Sequence, residues 1–346
     1  MVETSPPTQL GRWSRRGLAT CLAAALAMTA VACGGGDSDD DAIVLKFAHD
    51  SPTSSPYQAA AETFKKEVEE RTGGRVTVKI FPSAQLGEED VVLNGLQSGA
   101  VDATIVNIPS IEPTVQELQL FFLPFLFRDE DQAIRVADGP VGKRMEQAIL
   151  AKVGAETLGW GSIGEAVLAN TTRPVVTPAD LHGIKIRTST SAIATDTYKA
   201  LGALPTQLAF GEVYQGLQSG IIDGLDSGIV DIVDMKFYQV LKNVTLLRQL
   251  VRLAPVLVSQ RALGKVSAED QQAVRDAGAA AAEAELAETK KQAAEAIESL
   301  PGDGVGITQL TDAQREVFVD AVKPVYYQYA DKVGGRELID QVQQTK

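Results

Sequence analysis

His49 and Asp50 stand side by side at the end of the run IVLKFAH (43–49). An imidazole next to a carboxylate is a pairing that acid–base chemistry uses. The only other histidine, His182 in LHGIKIR, falls in a loop where water solvates it. His49 ends a strand, and a buried, hydrogen-bonded ring is the reading its neighbours favour. No group of Cys and His has the spacing of metal ligands. No G-x-S-x-G elbow, P-loop or G-x-G-x-x-G after a strand is present. No metal or cofactor is therefore expected. Catalysis by carboxylates alone, Asp50 with Glu165, is the one enzymatic route left open, and nothing requires it.

Binding chemistry has better-placed candidates. In open α/β sheets, ligand atoms gather at the C-terminal ends of strands. The residues that follow the expected strands are Asp50, Asn107, Arg187, Phe210 and the pair Asp226-Ser227. They mix a cation, acids, hydrogen-bonding groups and an aromatic wall.

The elements that must carry them are legible from periodicity. IVLKFAH is a strand; Ser55-Pro56 opens a helix whose stripe is Tyr57, Ala61, Phe64 and Val68, closed by Gly73-Gly74. RVTVKIF (75–81) alternates as a strand, 88–98 is helical, and DATIVNI (102–108) is a short apolar strand of the kind found inside parallel sheets. The order β-α-β-α-β then recurs: a strand at 183–188, a helix from Ala192 to Leu201, a strand at 204–210, a helix at 211–219 and a strand at 221–227.

An echo marks the repeat. GLQSGAVD (95–102) and GLQSGIID (216–223) agree at six of eight positions, and each ends the second helix of its unit and begins the third strand. Between the units lie two helices split at Gly139-Pro140 and strands near 155–170. After them comes an Ala/Glu-rich helix from about Ala268 to Ser299, long enough to lie across both domains, and a further helix at 311–322 with Thr311 as its N-cap. The fold class is α/β, a two-domain clamshell. Domain I takes 43–165 plus about 255–300, and domain II takes 166–254 plus about 301–346.

The N-terminus carries an address. Arg12, Arg15 and Arg16 precede an apolar run from Leu18 to Ala32, too short for a comfortable membrane span. SRRGLA (14–19) is also compatible with twin-arginine export. Residues 1–32 read as a signal peptide, Cys33 after AVA as the acylated cysteine of a lipoprotein, and 33–42 as an acidic tether. The membrane would be touched only through that anchor. A net charge of −13 argues against a nucleic-acid partner.

Four segments together resemble a known family: LPFLFRDEDQAIRVADGPVG (123–142), DLHGIKIRT (180–188), ALGALPTQLAFGEVYQGLQSGIIDG (200–224) and MKFYQV (235–240). They are similar to the solute-binding subunits of tripartite ATP-independent periplasmic (TRAP) transporters, of the dicarboxylate-binding type, from about Leu45 to Tyr329. The resemblance implies a periplasmic-binding-protein-like clamshell. It would close on a small organic acid and deliver it to integral membrane permease subunits driven by an ion gradient. It also implies that Arg187 pairs with the ligand's carboxylate, as a planar two-pronged donor can.

Two departures bear on the ligand. The segment 164–170, where many acid-binding members carry a second arginine, has none, so one cation is expected in the cleft. LDSG (225–228) places Ser227 where many members have asparagine. With Asp50 and Glu165 as acids, a zwitterion or hydroxylated monocarboxylate fits better than a dicarboxylate. The pairs His49-Asp50 and Gly164-Glu165, with Asn107, are similar to the ectoine-binding branch, where the acid after the first strand meets the ligand's cationic ring. In this scheme Asp50 and Glu165 attract a cationic or hydroxyl-rich end, Asn107 and Ser227 add hydrogen bonds, and Phe210 supplies a wall. The alternatives are a secreted lyase-type enzyme using carboxylates alone and a ligand-sensing partner of a membrane receptor.

Overall fold

The protein is described by a computed structural model covering residues 42–345. The export segment, Cys33 and nearly all of the tether lie outside the described residues. Ten strands carry the fold: β1 (Ile43–Ala48), β2 (Val76–Phe81), β3 (Ala103–Ile105), β4 (Ala155–Asn170), β5 (Lys185–Thr188), β6 (Leu204–Gln207), β7 (Gly224–Gly228), β8 (Asn243–Leu246), β9 (Val251–Ser259) and β10 (Gly306–Gln309). They run in the order β2-β1-β3-β9-β4-β7-β5-β6, with β8 on β4 and β10 on β8.

The two expected units are present as mirror-placed copies of one connection pattern. β1 pairs in parallel with both β2 and β3, and β5 pairs in parallel with both β6 and β7. The echoed octets explain themselves here. Gly99 (φ 85°) and Gly220 (φ 72°) end their helices in the left-handed region that glycine tolerates. The amides of Val101 and Ile222 then bond back to the carbonyls of Gly95 and Gly216.

Each closing aspartate clamps the first strand of its unit. Asp102 Oδ2 accepts from Lys46 N at 2.9 Å while Asp102 N donates to Lys46 O; Asp223 Oδ2 accepts from Lys185 N at 2.9 Å while Asp223 N donates to Lys185 O. Both aspartates therefore seat the first strand of their own unit, and their conserved pattern within the chain is architectural.

Some expectations change. The strand expected at 102–108 is three residues long, and one of its two neighbours, β9, is antiparallel. The strand expected at 204–210 stops at Gln207, so Phe210 stands in a short turn of helix instead. The strands expected near 155–170 are one strand of 16 residues, which pairs β9 along its first part and β7 and β8 along its last. Its register shifts between Ser162 and Glu165, where Gly164 has φ 86°. Just past that bulge the strand leaves β9 and takes up β7 and β8.

The long helix runs Ala268–Ser299, from Ser267 as N-cap. Its early residues Val274, Ala277, Ala281 and Ala282 pack into a core with β1, β2, β9 and the first helix, α1 (Pro56–Arg71). Its late residue Ala296 packs into a second core built from β7, β8 and the helices of the other lobe. The helix therefore braces both lobes from behind. No described helix is long and apolar enough to cross a membrane.

Candidate functional site

A cleft of about 590 Å³ opens between the strand ends of the two units. On one side stand Asp50, Tyr57 and Asn107; on the other, Arg187, Leu208 and Phe210. Asp50 follows β1 and Asn107 follows β3, while Tyr57 opens α1 after the N-cap Ser55. The local reason is that Ser55 extends and Pro56 then fixes the first helical turn, which turns Tyr57 inward.

Arg187 is the third residue of β5 and is 6% exposed. Its Nε donates to the carbonyl of Leu208 at 2.9 Å, its only hydrogen bond among the described residues. Its guanidinium lies 5.7 Å from the centre of the Phe210 ring, which in turn meets Phe237 edge-on at 5.9 Å. This contact fixes the plane of the guanidinium. Burial, and then the charge of Arg252, lower the Arg187 pKa to about 10, so it remains a cation at neutral pH.

Arg252 is the cation that sequence reasoning missed. It stands on β9, 7% exposed, and lines the same cleft, so the expectation of one cation is corrected to two. Its Nη1 lies 3.2 Å from Asp226 Oδ1, and its Nε has no partner. The available signal was a lone arginine in the otherwise apolar run VRLAPVLVS, since a buried charge needs a partner or a ligand.

Five carboxylates line the cleft together with the two arginines: Asp50, Glu88, Glu89, Asp90 and Asp231. Burial pushes Asp50 above the usual carboxylate range, with repulsion from Glu88 and Asp231 adding to it, against the pull of its bond from Ser51. Glu89 is raised too, chiefly by burial and then by Asp50, although Asn107 N and Ser110 Oγ donate to it. Asp231 is held by the hydroxyl of Ser227 and the amide of Gly228.

The remaining sequence candidates sit elsewhere. Glu165 does not line the cleft; its carboxylate pairs with Arg248 at 3.0 Å, across the crossing between the lobes. Ser227 is fully buried behind Asp231 and does not reach the cleft. Asp226 lines only a small recess behind the two arginines, where it accepts from Tyr198, Gln249 and Arg252. His49 is buried and bonds to Gln58 at 3.0 Å, with burial lowering its pKa. His182 is exposed.

Among the described residues, four that line this cleft each carry a buried polar atom without a partner: Ser55 Oγ, Tyr57 OH, Asn107 Oδ1 and Arg252 Nε. Buried polar groups are ordinarily satisfied, so their concentration marks a surface made to hydrogen-bond something. No group of three His, Cys, Asp or Glu among the described residues could hold a metal ion.

Comparison with known proteins decides the family. The model for bacterial extracellular solute-binding proteins, family 7, matches residues 47–332. The chain belongs to this family. A solute-binding protein of Verminephrobacter eiseniae is 34% identical over 289 residues, 84% of this chain and 85% of that one. The ectoine-binding periplasmic protein of Halomonas elongata is 31% identical over 302 residues, 86% of this chain and 88% of its own. The crystal structure of a TRAP periplasmic solute-binding protein from Polaromonas sp. JS666, bound to D-erythronate, superposes with a TM-score of 0.84 at 32% identity, covering 88% of this chain and 99% of that one. The fold is thus the two-domain architecture of TRAP periplasmic solute-binding proteins.

Proposed function

We propose that this family 7 protein captures a zwitterionic or hydroxyl-rich monocarboxylate in its cleft and hands it to the membrane subunits of a TRAP transporter. Arg187 grips the carboxylate. Asp50 faces the cationic or hydroxyl-bearing end, aided by Asn107, Tyr57 and Ser55. Phe210 forms the wall beneath the guanidinium. The observation that carries this reading is the buried Arg187, tied to the chain by Nε alone, in a cleft that five acidic residues also line. A second carboxylate on the ligand would add negative charge to a cleft already lined by acids.

The lobes follow the two β-α-β-α-β units, near 43–165 with about 255–300 and 166–254 with about 301–346. The relatives that bind D-erythronate and ectoine, a hydroxylated acid and a zwitterion, are in keeping with such a ligand. Cys33 after its apolar run supports a lipid anchor on the outer face of a membrane.

A thermal-shift screen of amino acids, betaines, ectoines, hydroxy acids and sugar acids tests the reading, because a ligand that binds only the folded state raises the melting point. Calorimetry on the hits should show one ligand bound per chain and recovered unchanged. Product formation would move the protein to the lyase class. Arg187→Ala should weaken binding at least tenfold, since a charged hydrogen-bond partner is worth about 1.5–3 kcal/mol. Cys33→Ala should release the protein from the membrane fraction of cells that make it.

A further inference from the structure

Arg187 and Arg252 line both the cleft and the recess behind it. That recess holds about 10 Å³, room for no more than a water, so any ligand atom reaching the two guanidiniums comes from the cleft side. The arginines differ in how they are held. Arg187 is tied by the carbonyl of Leu208, a neutral group. Arg252 is tied by Asp226, a charged one. Asp226 is itself fixed: Tyr198 OH donates to its Oδ2 at 3.0 Å, and Gln249 Nε2 donates to the same oxygen. Gln249 also donates to Tyr198 OH at 3.0 Å, which closes the network. Asp226 therefore stays on Arg252, and Arg252 keeps its buried Nε unpartnered.

We propose that Arg252 is a second anion-gripping residue of the cleft, and that Asp226 sets the pair to accept an end group of one negative charge. This rests on the reading that Arg187 holds a carboxylate. Two guanidiniums side by side would carry two positive charges, and Asp226 cancels one. What remains matches a single carboxylate held between two planar donors. The other charged side chains that line the cleft are acids, which leave no compensation for a second negative charge. Specificity here is thus partly repulsive.

The test titrates D-erythronate, ectoine and succinate into the protein and five variants. Arg252→Gln should weaken D-erythronate and ectoine at least tenfold, and Arg252→Lys should not restore them. Because Arg252→Gln leaves Asp226 buried and unpaired, the double variant with Asp226→Asn is measured too. It should recover the melting point of the free protein and still bind weakly. Asp226→Asn alone should move the succinate to D-erythronate affinity ratio toward succinate by tenfold or more. Arg187→Ala is the control. If it abolishes binding while the double variant binds D-erythronate within twofold of the parent, Arg252 does not grip the anion and the inference fails alone. An unchanged ratio in Asp226→Asn overturns the charge-setting role. If Arg187→Ala binds as the parent does, the underlying reading fails with it.

Discussion

Arg187 uses one nitrogen to hold itself to Leu208 and leaves its terminal nitrogens for the cleft. A lysine at this position would have to choose between the two tasks. Its ammonium is a compact, strongly hydrated charge without a planar fork. Arg187→Lys should therefore lose at least tenfold in affinity while the free protein melts within a few degrees of the parent, measured by calorimetry and thermal shift together. Equal affinity would mean that the carboxylate sees only charge. The sequence made Arg187 conspicuous because it stands near the end of a short strand in DLHGIKIRT, a segment that resembles the family's carboxylate-binding strand. Arg252 was hidden because nothing in VRLAPVLVS marks a strand end. Glu165 was misleading for the complementary reason. It stands at a bulge, where a register shift turns its side chain toward Arg248.

Elements were more legible than the sites they carry. The long helix has the expected limits because Ser267 caps it and no Pro interrupts it. β4 did not read as one strand, since its segment GWGSIG suggests breaks. Those glycines have another cause, the close approach of the long helix. A Cβ on Gly159 would stand 2.9 Å from that of Ala282, and one on Gly161 would stand 2.3 Å from Glu285 Oε2. β9 carries Pro255 opposite Trp160 in the middle of the sheet, a residue that argues against a central strand. Gly161→Ala should destabilise the protein by about 1–3 kcal/mol, the usual cost of overpacking. It should also loosen the seat of the long helix on β4, visible as a lower denaturant midpoint and faster amide exchange across Gly159–Ser162. A midpoint equal to the parent's would show that the helix is not pressed against the strand there.

At the scale of the whole molecule, β4 passes from β9 to β7 and β8 just after the bulge at Ser162–Glu165, and the buried carboxylate of Glu285 sits against that crossing. Its Oε2 accepts from Ser162 N at 2.6 Å, while Ser162 Oγ donates to Glu130 at 2.7 Å and accepts from Gly164 N at 3.0 Å. Thr289 stands 3.4 Å from the other oxygen of Glu285, and Lys290 lies 3.8 Å from Glu130. Burial, and then repulsion from Glu130, push Glu285 up to about 8 against the pull of the Ser162 amide. An unfolded glutamate releases its proton near the ordinary value of 4.5. Between these two values the folded protein keeps a proton that the unfolded chain has lost. Stability gained from this group is therefore complete below the lower value and disappears as pH rises toward the upper one, at about 1.4 kcal/mol per pH unit. Asp50 and Glu89, both raised by burial, act in the same sense. The ligand-free protein should accordingly melt at a lower temperature at pH 8 than at pH 5. Glu285→Gln keeps the acceptor for Ser162 N and removes the titration, so its melting temperature should fall less over the same interval. A parent and variant with equal slopes would place the proton of Glu285 outside this range and leave the crossing indifferent to pH.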